Sequence, residues 1–324
     1  SDLANSSSFP AEGLNTMSAQ AGWPIIMVDH EVLPAHPRVL YQDPENIVPV
    51  DMLVGSNSYE GVFYFGQPPE IYQDMAVGAP ELITKTFEPV YGSEVALKVV
   101  EAYSPDHYDG DAIQAFTQFT GDYYIRCPAR EFASNRAGAV DGSVYLYNFA
   151  HFSVTDPVVR FGLENYTNTS EWASHLADLP FIFGTLDFWT PSGMKVTSAN
   201  RAMSAELQAR WAMFAKTGSP NIEGFAIWNE VPSSNQTDLG RAPDVSTMLF
   251  ASGTGQMEAV PSKVDQCSSF PLAWSRVPAD DDNTAAPMKP SDNDTSTSGS
   301  MPSLSDRFSA IFVVATVLAS LIAA

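Results

Sequence analysis

The sequence predicts an α/β chain whose parallel-type sheet is flanked by helices. Three observations carry that expectation. Two short apolar runs, Val50 to Gly55 and Val144 to Phe149, are bounded by turn residues in the manner of buried strands. Elsewhere the apolar spacing turns helical, most clearly from Ala202 to Lys216, where Leu207, Trp211 and Phe214 share one stripe. Strands separated by helical stretches are joined by crossovers, which make a parallel sheet and set active groups on loops after the strand ends.

Residues 1–21 are small and polar and read as a loop or truncated entry segment, with any leader peptide lying outside this sequence. Residues 22–278 form the globular part, and with 44% hydrophobic residues the chain can bury a substantial core. Within it the first strand opens into the turn Gly55 to Gly61, and the second leads through a longer loop to Glu171 to Gly184. The helix at 202–216 has Lys216 in its last turn and Gly218 as its stop. No internal repeat is visible.

Composition changes sharply near residue 278. Residues 279–307 are Asp, Ser, Thr, Asn and Pro, with too little apolar surface to offset the entropy of ordering, and read as a disordered acidic linker. The Asp280 to Asp282 run is a solvated face of that linker. Phe308 to Ala324 is an uncharged, largely apolar tail of 17 residues, shorter than the roughly 20 residues a membrane helix needs and without a basic flank. Small residues at Ser298 to Ser300, an eight-residue spacer and a terminal apolar run fit a glycolipid-anchor signal with its attachment point at Ser298. A short transmembrane helix is one alternative, and a buried helix of the globular domain, against which the linker argues, is the other. Either of the first two readings places the protein at a membrane.

The 38 acidic residues outnumber the 16 basic ones and leave a formal charge of −22, which would repel a phosphate backbone. A nucleic-acid partner is thereby excluded. Neither of the two cysteines falls in a Cys/His cluster with zinc spacing, so no metal is expected, and nothing calls for a cofactor. His30, His36, His107 and His151 have no partner at metal spacing and read as structural.

Candidate chemistry sits on the two loops. Glu60 follows the first strand and His175 follows the second, the later part of the Ser…Asp/Glu…His order of hydrolases built on a parallel sheet. An imidazole can take a proton from a nucleophile and return it to a leaving group, and a buried carboxylate on its other nitrogen fixes its tautomer.

In order along the chain, Val28-Asp29 with Leu33-Pro34, the turn Gly55 to Gly61, Phe119 to Pro128, Tyr145 to Phe149, His175 to Gly184 and Trp211 to Asn221 resemble the C-terminal half of a type B carboxylesterase, close to the cholinesterases. The resemblance covers residues 22–278. It implies the C-terminal half of an α/β-hydrolase fold, incomplete without its N-terminal half, in which a serine attacks an ester carbonyl, His175 moves the proton and Glu60 holds His175. No Gly-x-Ser-x-Gly occurs, so the nucleophile elbow and the oxyanion loop are expected in a missing N-terminal half and this chain alone is expected to be inactive. A catalytically inactive, neuroligin-like adhesion ectodomain is the alternative, against which the retention of both Glu60 and His175 argues.

The same resemblance implies a disulfide between Cys127 and Cys267, which the residues by themselves leave open to two buried thiols. It sets Phe63 and Tyr64 where gorge aromatics meet the cationic head and the acyl group of a choline ester, although such aromatics after a strand are more often core packing. Around Trp23 to Met27 the Phe-x-Phe pattern of an acetylcholine acyl pocket is missing. Sequons at Asn165, Asn168 and Asn235, with others at Asn5 and Asn293, suit a glycoprotein of the secretory pathway exposed on the extracellular face of the plasma membrane. The expected partners are a small-molecule ester and, through the tail, a membrane.

Overall fold

A computed structural model describes residues 48–61, 76–139, 141–160, 173–232, 247–251, 255–258 and 264–270, with isolated positions 31, 34, 40 and 45. The sheet has four strands, β1 (Met52–Asn57), β2 (Val144–Phe149), β3 (Thr247–Phe250) and β4 (Gln256–Glu258), in that spatial order. β1, β2 and β3 are parallel, while β4 turns back antiparallel on β3. The last pairing is a finding the sequence does not announce, because three residues are too few to show a period.

Parallel strands need long crossovers, and a helical body supplies the first. Between β1 and β2 lie α1 (Ala79–Tyr91), α2 (Ser93–Ala102), α3 (Ala112–Gly121) and α4 (Cys127–Ala139), with one π-type turn at Asp122–Arg126 between the last two. Asp111 caps α3 by accepting from the Gln114 amide at 3.0 Å. Gly92 separates α1 from α2 with φ of 85°, a left-handed conformation that a side chain would oppose.

Both faces of the sheet are covered, as a parallel sheet requires. Leu53, Tyr145, Tyr147 and Phe149 point to one side, against Met203, Leu207, Trp211 and Phe214 of α5 (Ser198–Thr217). Met52, Val54, Val144 and Leu146 point to the other, against Ala133 of α4. This alternation is the period of two expected of a pleated strand. Helix α5 contains the segment expected at 202–216 and extends it at both ends. Thr197 caps its start by accepting from the Asn200 amide, and Gly218 ends it at φ of 77°.

A separate aromatic cluster of Phe87, Tyr103, Phe116, Phe119 and Phe270 binds α1, α2 and α3 to the last helix, α6 (Val264–Ser269). There Cys127, the first residue of α4, is joined to Cys267 in a disulfide with Cα atoms 5.5 Å apart. Among the described residues no helix is long and apolar enough to cross a membrane. The tail at 308–324 and the linker at 279–307 lie outside the described residues.

Candidate active site

Parallel pairing puts the ends of β1 and β2 side by side, with Asn57 opposite Phe149. The ladder then continues past the strands. Ser58 donates its amide to the Phe149 carbonyl at 2.9 Å, and Tyr59 donates its amide to the Ala173 carbonyl at 3.0 Å. Tyr59 and Ser174 form an isolated parallel bridge. One residue further along each chain stand Glu60 and His175, so the backbone register itself brings the two candidate groups together.

Glu60 Oε2 accepts from His175 Nδ1. Its other oxygen, Oε1, accepts the Asn57 backbone amide at 2.5 Å and the Asn57 side-chain amide at 3.3 Å. The glutamate is 3% exposed and the imidazole 11%, so the pair is largely shielded from solvent. A carboxylate on Nδ1 fixes the proton there and puts the basic lone pair on Nε2. Burial pulls the His175 imidazole down, but the charge and hydrogen bond of Glu60 outweigh it and hold the ring above its ordinary value.

The histidine loop is fastened from behind. Asp156 accepts the Ser174 amide at 3.0 Å, the Ser174 hydroxyl at 2.5 Å and the Val158 amide at 2.9 Å. Burial pushes its carboxyl up to about 6 despite those bonds. Leu176, next after His175, takes φ of 72°, a conformation that costs a non-glycine residue about 1 kcal/mol or more and persists only where neighbours impose it. Glu60 is fastened by close packing instead. A Cβ on Gly121 of α3 would lie 2.7 Å from the Gly61 nitrogen and 3.2 Å from the Glu60 backbone nitrogen, so only glycine lets α3 approach this turn.

Sequence reasoning missed Asn57, Tyr147, Asp156 and Asp178. Asp178 is buried beside the pair, accepting from the Tyr147 hydroxyl at 2.8 Å and from Asn57 Nδ2 at 3.3 Å. The available signal was a polar residue three positions from each candidate, Asn57 before Glu60 and Asp178 after His175, the latter between apolar neighbours. His151, read as structural, bonds Asn200 Oδ1 at 2.9 Å and the Ala251 carbonyl through its two nitrogens. Among the described residues no group of three His, Cys, Asp or Glu side chains is arranged to hold a metal ion. Phe63, Tyr64, His30, His36, Asn165, Asn168, Asn235 and Ser298 lie outside the described residues.

Residues 7–249 match the profile of the carboxylesterase family. The chain belongs to that family. Among its relatives are an acylcarnitine hydrolase of Mus musculus, 27% identical over 69% of this chain and 39% of that protein, and carboxylesterase 3 of Homo sapiens, 26% identical over 82% and 49%. A solved thermophilic pNB esterase aligns with a TM-score of 0.52 at 20% identity, covering 79% of this chain and 47% of that one. The shared architecture is that of an α/β hydrolase. This carboxylesterase-family chain spans half or less of the length of these relatives, so the esterase body it matches is larger than the part described.

Proposed function

We propose that this chain supplies the acid and base of a carboxylic ester hydrolase of cholinesterase type. The observation that carries the reading is the buried Glu60–His175 pair, held on two loops that leave adjacent parallel strands at the same end. In that reading His175 Nε2 takes the proton of a serine nucleophile as it attacks the ester carbonyl, and then returns it to the leaving alcohol. Glu60 keeps the imidazole in the reactive tautomer and stabilises the imidazolium that forms. Because no Gly-x-Ser-x-Gly is present, the serine and the oxyanion donors come from polypeptide preceding this segment in a parent protein.

The substrate class is a small carboxylic ester. A choline ester is the finer proposal and depends on Phe63 and Tyr64 meeting its cationic head and acyl group. Secretion, glycosylation at Asn165 or Asn168 and at Asn235, and attachment to the outer membrane face through the C-terminal tail complete the reading. They rest on the sequence signals alone.

The test joins the upstream coding sequence to this chain and measures ester turnover together with labelling by a fluorophosphonate. The expected result is labelling of an upstream serine and a drop of about 1,000-fold or more in kcat/KM on replacing His175 by alanine. Turnover that survives the loss of His175 would overturn the assignment.

A further inference from the structure

Asp178 is a buried carboxyl that the proton transfer just described does not use. Its two oxygens are held by Tyr147 Oη at 2.8 Å and Asn57 Nδ2 at 3.3 Å. That same nitrogen donates to Glu60 Oε1, also at 3.3 Å, so oxygens of the two carboxyl groups lie no further apart than twice that distance. Two buried carboxyls this close resist ionising together. The titratable groups around them are Glu60 from the turn after β1, Tyr147 from β2 and His175 from the shared loop. Asp156 bonds Ser174 on the other side of that loop.

The donor sets decide where the one charge resides. Glu60 receives a backbone amide, a side-chain amide and an imidazole N–H that becomes a full cation on protonation. Asp178 receives a phenol, a share of one neutral side-chain amide and its own backbone amide, none of them a group that becomes a cation. The cost of removing a charge from water is therefore offset more fully at Glu60 than at Asp178.

We propose that Asp178 is a positioning residue present as the neutral acid at neutral pH. In the neutral acid the carbonyl oxygen accepts from the Asn57 amide and the hydroxyl donates to Tyr147 Oη, in place of the donation from the phenol that an ionised carboxylate would receive; this locks Asn57 onto Glu60 and leaves Glu60 as the single anion facing His175. The inference rests on the Glu60–His175 reading and adds how that pair is oriented. Burial pushes the Asp178 carboxyl upward, the Tyr147 and Asn57 bonds pull it back, and the Glu60 charge adds to the rise. The strand makes room for this arrangement at Gly55, where a Cβ would overlap the Tyr147 ring. Functionally, a second anion would tighten the hold on the imidazolium beyond what proton return to an alcohol needs, whereas a neutral acid orients without adding charge.

The test uses the intact chain. Infrared spectra at a pH of about 8, where an ordinary aspartate is fully ionised, should show a protonated-carboxyl C=O band. That band should move when the protein carries isotopically labelled aspartate, and it should be missing in D178N. In a nitrogen NMR titration, D178N should leave the His175 midpoint within about 0.3 pH units of wild type, because a neutral group replaces a neutral group. D178A should weaken the ordered His175 Nδ1 proton, since the Asn57 side-chain amide is then held from the Glu60 side alone. Absence of the band in wild type, or a fall of about one pH unit in D178N, would show an ionised Asp178 and overturn the proposal. The wild-type spectrum alone decides the protonation state even if D178N fails to fold. An unmoved midpoint in E60Q would refute the underlying pairing instead, and with it the need for a positioning residue.

Discussion

Replacing Gly121 by alanine sets two effects against each other. Alanine favours a helix over glycine by about 1 kcal/mol, and Gly121 is the last residue of α3, so local propensity alone predicts a gain. The new Cβ would lie 2.7 Å from the Gly61 nitrogen and 3.2 Å from both the Glu60 nitrogen and Cβ. Comfortable carbon contacts begin near 3.5 Å, so α3 and the Glu60 turn must separate by roughly 0.5–1 Å. The neighbours here include backbone on a segment tied into the sheet, which leaves little room to yield. Overpacking costs about 1–3 kcal/mol in general, and a 2.7 Å approach to backbone puts this case at about 2–3 kcal/mol, which wins over propensity and leaves a net loss of about 1–2 kcal/mol. With a urea slope near 3 kcal/mol per molar, the unfolding midpoint should fall by about 0.5 M. The same displacement moves Glu60 away from His175, so the ordered Nδ1 proton should weaken in the NMR spectrum. An equal or higher urea midpoint with an unchanged His175 signal would refute the steric argument.

Two further perturbations test other parts of the structure. Breaking the Cys127–Cys267 bond, which closes a 140-residue loop between α4 and α6, should lower stability by up to about 5 kcal/mol in the chain-entropy model, read as a drop in urea midpoint for C267S. For Asp156 the folded carboxyl sits at about 6, above its ordinary 3.8, so the folded state binds the extra proton. Its contribution is fully present below about pH 4 and is lost as pH rises through 6, a change of about 3 kcal/mol that D156N should flatten in denaturation midpoints taken across that range.

The parts of this protein written in short-range patterns were legible. The apolar runs of β1 and β2 and the Leu207, Trp211, Phe214 stripe of α5 were visible because each needs only its own neighbours in sequence. The helices between β1 and β2 were not divided, since the break at Gly92 is a backbone turn and no change in apolar pattern marks it. At the site, Glu60 and His175 stood out through residue type and chain order. Asn57, Tyr147 and Asp178 did not, because what distinguishes them is that β1, β2 and the histidine loop converge, bringing residues 121 positions apart into one hydrogen bond. Gly121 and Gly55 carry the same lesson, as their value lies in what a Cβ would strike.

The central claim is that Glu60 holds His175 as a proton carrier, and the most direct measurement is the titration of the His175 ring by nitrogen NMR in wild type and E60Q. The wild-type ring should carry its proton on Nδ1 and titrate above the ordinary histidine value of about 6.5, so that charge is lost only as pH rises past that point. Removing the carboxylate takes away the main opposition to burial, and the E60Q midpoint should fall below that value. Equal midpoints in the two proteins, with no preference for the Nδ1 proton, would contradict the account.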